Sequence, residues 1–319
     1  MIFSPSETPK VLLVKATAVL IAALTIFSAT SNAFAADAGA GIGANPAIGG
    51  KSDPNRNAFD YQVAAGQNVD DGVYIINTGS KPLTVNLYAR DAFNNSAGDY
   101  NVQTEADMPK DVGTWVTFAG TKKTTYSVTL KGGEDAVVPI TLRIPADASA
   151  GDHVGAILIS SGASGKGQIK VVQRLALRLY ARVLGELLPQ IAITKFSANY
   201  QVNLLNPFEG KIVMSYDLTN KGNVALASVM DLNVTGLLGI PLAPVAADSV
   251  EEVLPGNTRK VTTVIDHVGQ WGYFVPEVTV HTTTKNVNVQ AKQLPELRRD
   301  TAIFSFPYFL VALGLLVLF

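Results

Sequence analysis

The 319-residue chain contains no cysteine. That excludes disulfides, thiolate metal sites and a cysteine nucleophile. An exported chain without disulfides is ordinary for a bacterium and unusual for the outside of a higher organism's cell. Histidine is scarce as well: His153, His267 and His281 are the three present, and they lie far apart in sequence. No H-E-x-x-H, P-loop or G-x-S-x-G pattern occurs. Enzymatic chemistry, a metal and a cofactor are therefore not expected. An excess of charge is missing too. The formal net charge is −1, which gives no bulk attraction to nucleic acid, and no nucleic-acid partner is expected.

What the chain does have is oil at both ends. Residues 301–319 carry no charge. As a helix they would span roughly 28 Å at ~1.5 Å per residue, close to a hydrocarbon core of ~30 Å. A single transmembrane helix is expected there, with Phe304, Phe306 and Tyr308 as an interfacial aromatic belt and Pro307 tolerated in its first third. Arg298 and Arg299 precede this stretch, and no positive charge follows it. The positive-inside rule then points to a chain that continues beyond it. At the other end, Lys10 and Lys15 precede "ATAVLIAALTIF" and then "SNAFA". A charged start, an apolar run and small residues at Ala33 and Ala35 predict a signal peptide over 1–35.

Between the ends, 36–57 is rich in Gly, Ala and Pro without a period and reads as a flexible lead-in. From Phe59 the pattern alternates with period two. Examples are Leu83, Val85 and Leu87, or Val138, Ile140 and Leu142. Short alternating runs separated by "NTGS", "KGGED" and "ADASAGD" predict an antiparallel sandwich over 58–186. "QIKVVQRLALRLYARVLGE" contains good helix formers, but Leu175, Leu177, Leu179, Ala181 and Val183 alternate without a break, which predicts a long strand.

Three landmarks of this region recur in order over 187–284, which predicts a second sandwich. "VYIINTGSKPLTVNLYARD" parallels "KIVMSYDLTNKGNVALASVMDLNVT", each with an Asn-x-Gly turn (Asn77–Gly79, Asn220–Gly222). "KGGEDAVVPITLRI" parallels "LPGNTRKVTTVI", and "AGDHVGAILISS" parallels "GQWGYFVPEVTVHTT". The fold class is all-β: two tandem immunoglobulin-like sandwiches. Residues 285–300 read as a short stalk.

The first copy holds an extra stretch near residues 91–118, and insertions on a sandwich are where binding tends to sit. Arg90, Asp91, Phe93 and Trp115 lie in or beside it, and they offer groups for sugar hydroxyls and ring faces. Trp115 is either such a platform or a core residue. On the predicted strand, Lys170, Arg174, Arg178 and Arg182 share one side, spaced ~13 Å apart at ~3.3 Å per residue. With Tyr180 among them they either track an anionic polymer through bidentate contacts or keep an outward face soluble. Trp271, Tyr273 and Phe274 are either an exposed patch or core.

"IGANPAIGGKSDPNRNAFDYQVAAGQNVDDGVYIINTGSKPLTVNLYARDAF", "DVGTWVTF", "PADASAGDHVGAILIS" and "RLALRLYARVLGELLP" resemble the WxL-interacting protein family of Gram-positive bacteria, closest to its actinobacterial branch. The resemblance covers about residues 40–190. It implies a domain that binds peptidoglycan, a second domain that binds a surface protein, and a C-terminal membrane anchor. No partner-binding residue of the second domain carries over. The expected protein is non-enzymatic, anchored by a single span, with its body in the cell-wall zone. Its expected partners are peptidoglycan or another anionic wall polymer, and a surface protein. The rival is a chaperone-like sandwich that exchanges a strand with a surface protein or pilus. An edge position for the Lys170–Val183 strand would favour the rival.

Overall fold

The computed structural model describes residues 41–161, 172–285 and 294–318. The expected signal peptide and Lys170 lie outside these residues, as does part of the expected stalk.

Among the described residues the chain is all-β apart from two 3-10 turns and one short helix. The first eleven strands are β1 (Ile42–Ile48), β2 (Lys51–Ser52), β3 (Ala58–Val63), β4 (Asn68–Asn77), β5 (Leu83–Asn94), β6 (Tyr100–Val102), β7 (Val116–Phe118), β8 (Thr125–Leu130), β9 (Asp135–Arg143), β10 (Gly151–Ser161) and β11 (Arg174–Val183). They form one sheet in the order β2-β1-β4-β9-β7 and another in the order β3-β11-β10-β5-β6, with β8 also on β5. Residues from both sheets close over one core that includes Phe59, Ile75, Leu87, Phe118, Leu142, Ile157 and Leu179. Each such side chain contributes about 1.5–3 kcal/mol when fully buried.

The remaining strands are β12 (Ile191–Gln201), β13 (Gly210–Asn220), β14 (Leu226–Thr235), β15 (Ala246–Val253), β16 (Thr258–Val268), β17 (Tyr273–Thr284), β18 (Leu297–Asp300) and β19 (Ile303–Phe304). Their sheets run β12-β13-β16 and β15-β14-β17-β18, with β19 on β17. Period two is plain in β13, where Ile212, Met214, Tyr216 and Leu218 are buried between partly or fully exposed neighbours. They face Leu232, Phe274 and Val280 in a second core.

The two halves pair alike. β4 pairs with β1 and β9 as β13 pairs with β12 and β16. β5 pairs with β8 and β10 as β14 pairs with β15 and β17. The last strand pairing, β10 with β11, corresponds to β17 with β18. All of these are antiparallel. β11 has neighbours on both sides over Arg178–Val183, because β3 lies parallel against it there. That stretch is not an edge.

The sequence and the structure differ at three places. Ile42–Ile48 is a strand rather than flexible lead-in. Ile42 and Ala44 pack on the first core, and the Gly/Ala/Pro composition conceals this. Leu297–Asp300 pairs with Glu277–Val280 rather than forming a stalk. The expected single-pass helix is corrected as well. Ile303 packs on the second core and pairs with Phe274. Pro307, which biases its predecessor to extended backbone, then delays the helix to Tyr308–Leu318, eleven residues. That is about 16 Å of helix, and among the described residues no helix is long and apolar enough to cross a membrane.

The repeated Asn-x-Gly turns do the same work in both halves. The Asn77 amide donates to the carbonyls of Lys81 (2.8 Å), Leu130 (3.1 Å) and Lys131 (3.0 Å), while its Oδ1 accepts from Gly79 (3.0 Å). Asn220 donates to Val224 (2.7 Å) and Val253 (2.9 Å) and accepts from Gly222 (3.0 Å). Both side chains are fully buried. Asn220→Ala leaves two buried carbonyls short of a donor, and Asn77→Ala leaves one buried and two part-buried, at about 1–3 kcal/mol for each buried one. Urea unfolding of either variant is expected to show roughly 2–4 kcal/mol less stability, scaled from the same range. A loss below about 0.5 kcal/mol, the ordinary level for a neutral surface change, would refute the pinning role.

Candidate functional site

The two cores meet along β10, β11 and the 91–102 segment on one side and the 222–225 and 252–259 segments on the other. Asp152 accepts from Arg182 Nε (2.5 Å) and Nη2 (2.7 Å), and its Oδ2 also accepts from the Ala225 amide (2.7 Å). Asn94 donates to the Glu252 carbonyl (3.2 Å) and accepts from the Leu254 amide (2.9 Å). Val154, Ala225 and Leu254 form a small apolar contact beside these bonds. Gly222 lies so close to the Leu188 carbonyl that a Cβ would collide with it.

This docking leaves two cavities that share a wall. The larger, about 560 Å³, is lined by Arg56, Asp60, Asp152, Arg178, Tyr180, Glu252 and Lys285, among others. The smaller, about 390 Å³, is lined by Asp99, Tyr100, Arg178, Ser249, Glu251, Glu252 and Arg259. Arg178 and Glu252 belong to both.

Glu252 is the buried charge at the centre, 4% exposed. Its Oε2 accepts from Lys285 Nζ (3.0 Å), the Tyr180 hydroxyl (3.2 Å) and Arg178 Nη1 (3.4 Å). Its Oε1 is buried and has no partner. The Arg178 guanidinium also lies 4.3 Å over the Tyr100 ring. Burial, then the Glu252 charge, pushes the Tyr180 hydroxyl up to about 12, so it stays a donor at neutral pH. Arg56 is neutralised by Asp71 at 2.6 Å, and Tyr61 donates to the same carboxylate.

The residues singled out from sequence fall into three groups. Arg178 and Tyr180 lie in the cleft. Arg182, which shares their side of the strand, is 2% exposed and paired with Asp152, so it offers no free cation. Arg174 is exposed and donates to the Gln103 carbonyl (2.7 Å). The row of cations is therefore divided among three different partners.

The second group clasps the insertion. Asp91 accepts from the amides of Lys110 (2.6 Å), Asp111 (2.9 Å) and Gly113 (2.7 Å). Arg90 donates to the carbonyls of Thr104 (3.0 Å) and Glu105 (2.5 Å). Phe93 is partly exposed. Third, Trp115 is a core residue, buried among Val116, Phe118 and their neighbours, with its ring 4.6 Å from that of His153. Phe274 is likewise core, while Trp271 is exposed beside Phe208. Sequence reasoning missed Glu252, Lys285 and Arg56, because nothing in "SVEEVLPG" or "HTTTKN" marks a site.

The architecture defines the class: a two-core all-β chain with a charged cleft between the cores. Residues 49–161 match the family model of the WxL Interacting Protein, peptidoglycan binding domain. The chain thus carries a domain of that family, as the resemblance implies. Among curated proteins none matches. Solved structures similar to the chain include a class 5 fimbriae chaperone, CfaA, at 12% identity, covering 76% of this chain and 96% of that one, with a TM-score of 0.38. Another is the CsuC–CsuE chaperone–tip adhesion subunit pre-assembly complex of Acinetobacter baumannii, at 12% identity, covering 74% and 93%, with a TM-score of 0.35. The Pseudomonas aeruginosa CupB2 chaperone is similar at 11% identity, covering 78% and 99%, with a TM-score of 0.34.

His153, whose ring lies against Trp115, generates a pH dependence through its polar partners. His153 Nδ1 lies 2.6 Å from Asp111 Oδ1 and Nε2 lies 2.9 Å from the Ser149 carbonyl. Burial alone lowers the His153 pKa, but the Asp111 carboxylate and the Ser149 carbonyl outweigh it, and the net shift is upward. A raised folded pKa gives stability that is full below the unfolded value of about 6.5 and is lost as pH rises through the folded value. The melting temperature is expected to fall as pH rises from about 6 towards 8, relative to an Asp111→Asn variant, in which the fall is blunted. Parallel curves for the two proteins would refute the assignment.

Proposed function

We propose that the chain is a non-enzymatic cell-wall protein that binds peptidoglycan in the cleft between two immunoglobulin-like domains, residues 58–186 and 187–284. The observation that carries this reading is the family match over 49–161. That segment supplies Arg56, Asp60 and Asp152 to the larger cavity, and it is the largest concave site among those described. Arg178 and Tyr180 from β11, with Glu252 and Lys285 from the second domain, complete the lining. Peptidoglycan is a polymer with carboxylates, amides and hydroxyls, and Arg and Lys at the mouth of a polar cavity suit its anionic groups.

The second domain then serves the site directly, by closing one wall of it, besides any surface partner that it scaffolds. Chaperone-like strand exchange draws no support from β11, since Arg178–Val183 is already flanked on both sides.

Co-sedimentation of the full chain with purified peptidoglycan tests the reading, against a control without the polymer. The chain is expected to pellet at low salt. Raising salt past the point where the screening length drops to about 8 Å is expected to release part of it. Arg178→Glu reverses a charge at the mouth and is expected to weaken binding by about tenfold or more, the usual scale for one misplaced charge at a contact. A wild-type chain that stays in the supernatant at low salt would overturn wall binding. Unchanged pelleting of Arg178→Glu would move the site away from the cleft.

A further inference from the structure

We infer that the cleft recognises the peptide stem of the wall polymer, and not its glycan or an anionic teichoic chain: Arg178 and Lys285 take a carboxylate, and Glu252 takes an N–H donor beside it. This rests on the wall-binding reading and goes further, to the chemical part of the polymer that is held.

Three observations carry it. First, the larger cavity holds charges of both signs. Arg56 and Asp152 are each tied to a partner, Asp71 and Arg182 respectively. The remaining charged lining includes Arg178 and Lys285 beside Glu252. A polyphosphate chain would meet carboxylates here and in the smaller cavity, where Asp99, Glu251 and Glu252 stand beside Arg178 and Arg259. Like charges in a partly desolvated site repel strongly. An amino-acid chain that carries both carboxylate and amine or amide groups fits such a lining.

Second, the donors around Glu252 are unevenly placed. Three of them converge on Oε2 and none reaches Oε1, although the side chain is 4% exposed. A buried acceptor without a partner costs about 1–3 kcal/mol, and a ligand N–H at that oxygen would remove the cost. Phosphate esters have no N–H to give. Two cations crowd onto the other oxygen, with Lys285 31% and Arg178 43% exposed at the mouth. Both side chains carry further N–H donors for a carboxylate.

Third, the aromatic rings of the cleft are committed. The Tyr100 face is covered by the Arg178 guanidinium, and its hydroxyl donates to the Gly155 carbonyl (2.8 Å). The Tyr180 hydroxyl is held by Glu252. Trp115 is buried in the core. The Tyr100 face is thus not offered to a sugar, and Tyr180 is partly buried against the Val154, Ala225 and Leu254 contact.

Isothermal titration of the full chain tests this with four probes. These are a synthetic stem tetrapeptide with a diamino acid, its C-terminal carboxamide, the glycan disaccharide lacking peptide, and polyglycerol phosphate. The acid tetrapeptide is expected to bind, with the carboxamide about tenfold weaker, the value of one charge-assisted hydrogen bond. The other two are expected to show no heat. Lys285→Gln is expected to weaken the acid tetrapeptide by about tenfold while leaving the carboxamide unchanged, with the melting temperature as a folding control. Binding of the disaccharide or of polyglycerol phosphate in preference to the tetrapeptide would overturn the inference. So would equal affinity for acid and carboxamide. Pelleting with whole peptidoglycan but no heat with the tetrapeptide would sink the stem assignment alone. Absence of both would sink wall binding as well.

Discussion

Asp152 is the joint on which the molecule turns. It lies near the start of β10, the central strand of the first core's second sheet, and it accepts hydrogen bonds from two nitrogens of a buried arginine and from a backbone amide of the second half. A buried carboxylate in this position must stay fully paired, since removing one partner of such a pair costs about 3–5 kcal/mol. The bond to the Ala225 amide therefore does more than a surface contact would. It sets where β14 begins relative to β10. The Asp152 amide donates in turn to the Asn223 carbonyl at 2.7 Å, and Asn223 reaches back to the carbonyls of Ala150 and Glu186, both at 2.9 Å. With the joint held by bonds of fixed direction, Glu252 on the next strand arrives opposite Arg178 and Tyr180.

The cleft is a consequence of that docking. Neither half contains the site by itself. The first brings Arg178, Tyr180 and Tyr100, and the second brings the carboxylate that orients all three directly or through one neighbour. The duplicated strand pairing makes this possible, because the same turn geometry at Asn77 and Asn220 gives both halves the same frame. Both turns pack on neighbouring segments, the first within its own half and the second also across the joint. The Asn77 and Gly79 carbonyls accept from the Gly133 amide and Ser80 closes on Gly132, whereas Asn223 donates to the Ala150 carbonyl and its own carbonyl accepts from the Asp152 amide.

The alternation of Leu175, Leu177, Leu179, Ala181 and Val183 identified a strand, and period two placed the arginines of β11 on its other face. The repeated Asn-x-Gly and glycine-turn landmarks identified the duplication. These are short-range signals, set by backbone geometry within one strand or turn. What escaped was set at long range. The fate of Arg182 depends on Asp152, thirty residues away, and that of Arg178 on Glu252, seventy-four residues away. No local pattern encodes either distance. Trp115 was ambiguous for a related reason: a tryptophan in a loop-rich insertion gives no sign of whether the loop folds back over the core. It does so because the Asp91 carboxylate collects three amides of the 110–113 segment, a contact that a lone Asp in "ARDAF" does not announce. Ile42–Ile48 was hidden by composition. Its Gly, Ala and Pro dilute the apolar period, though two side chains suffice to seat it on the core.

The cations of β11 show how a misleading regularity becomes informative once its partners are known. Equal spacing along a strand suggests equal roles, a track for a polyanion. Docking breaks that equality. Arg182 is consumed as a structural ion, Arg174 ties the insertion at Gln103, and Arg178 alone stands at the mouth of a cavity with a partner that leaves it half exposed. A uniform track would bind by net charge and discriminate poorly. One exposed guanidinium beside an ammonium and an under-satisfied carboxylate instead demands donors and acceptors in a set order. What fits such a lining is set by the order of polar groups more than by the amount of charge.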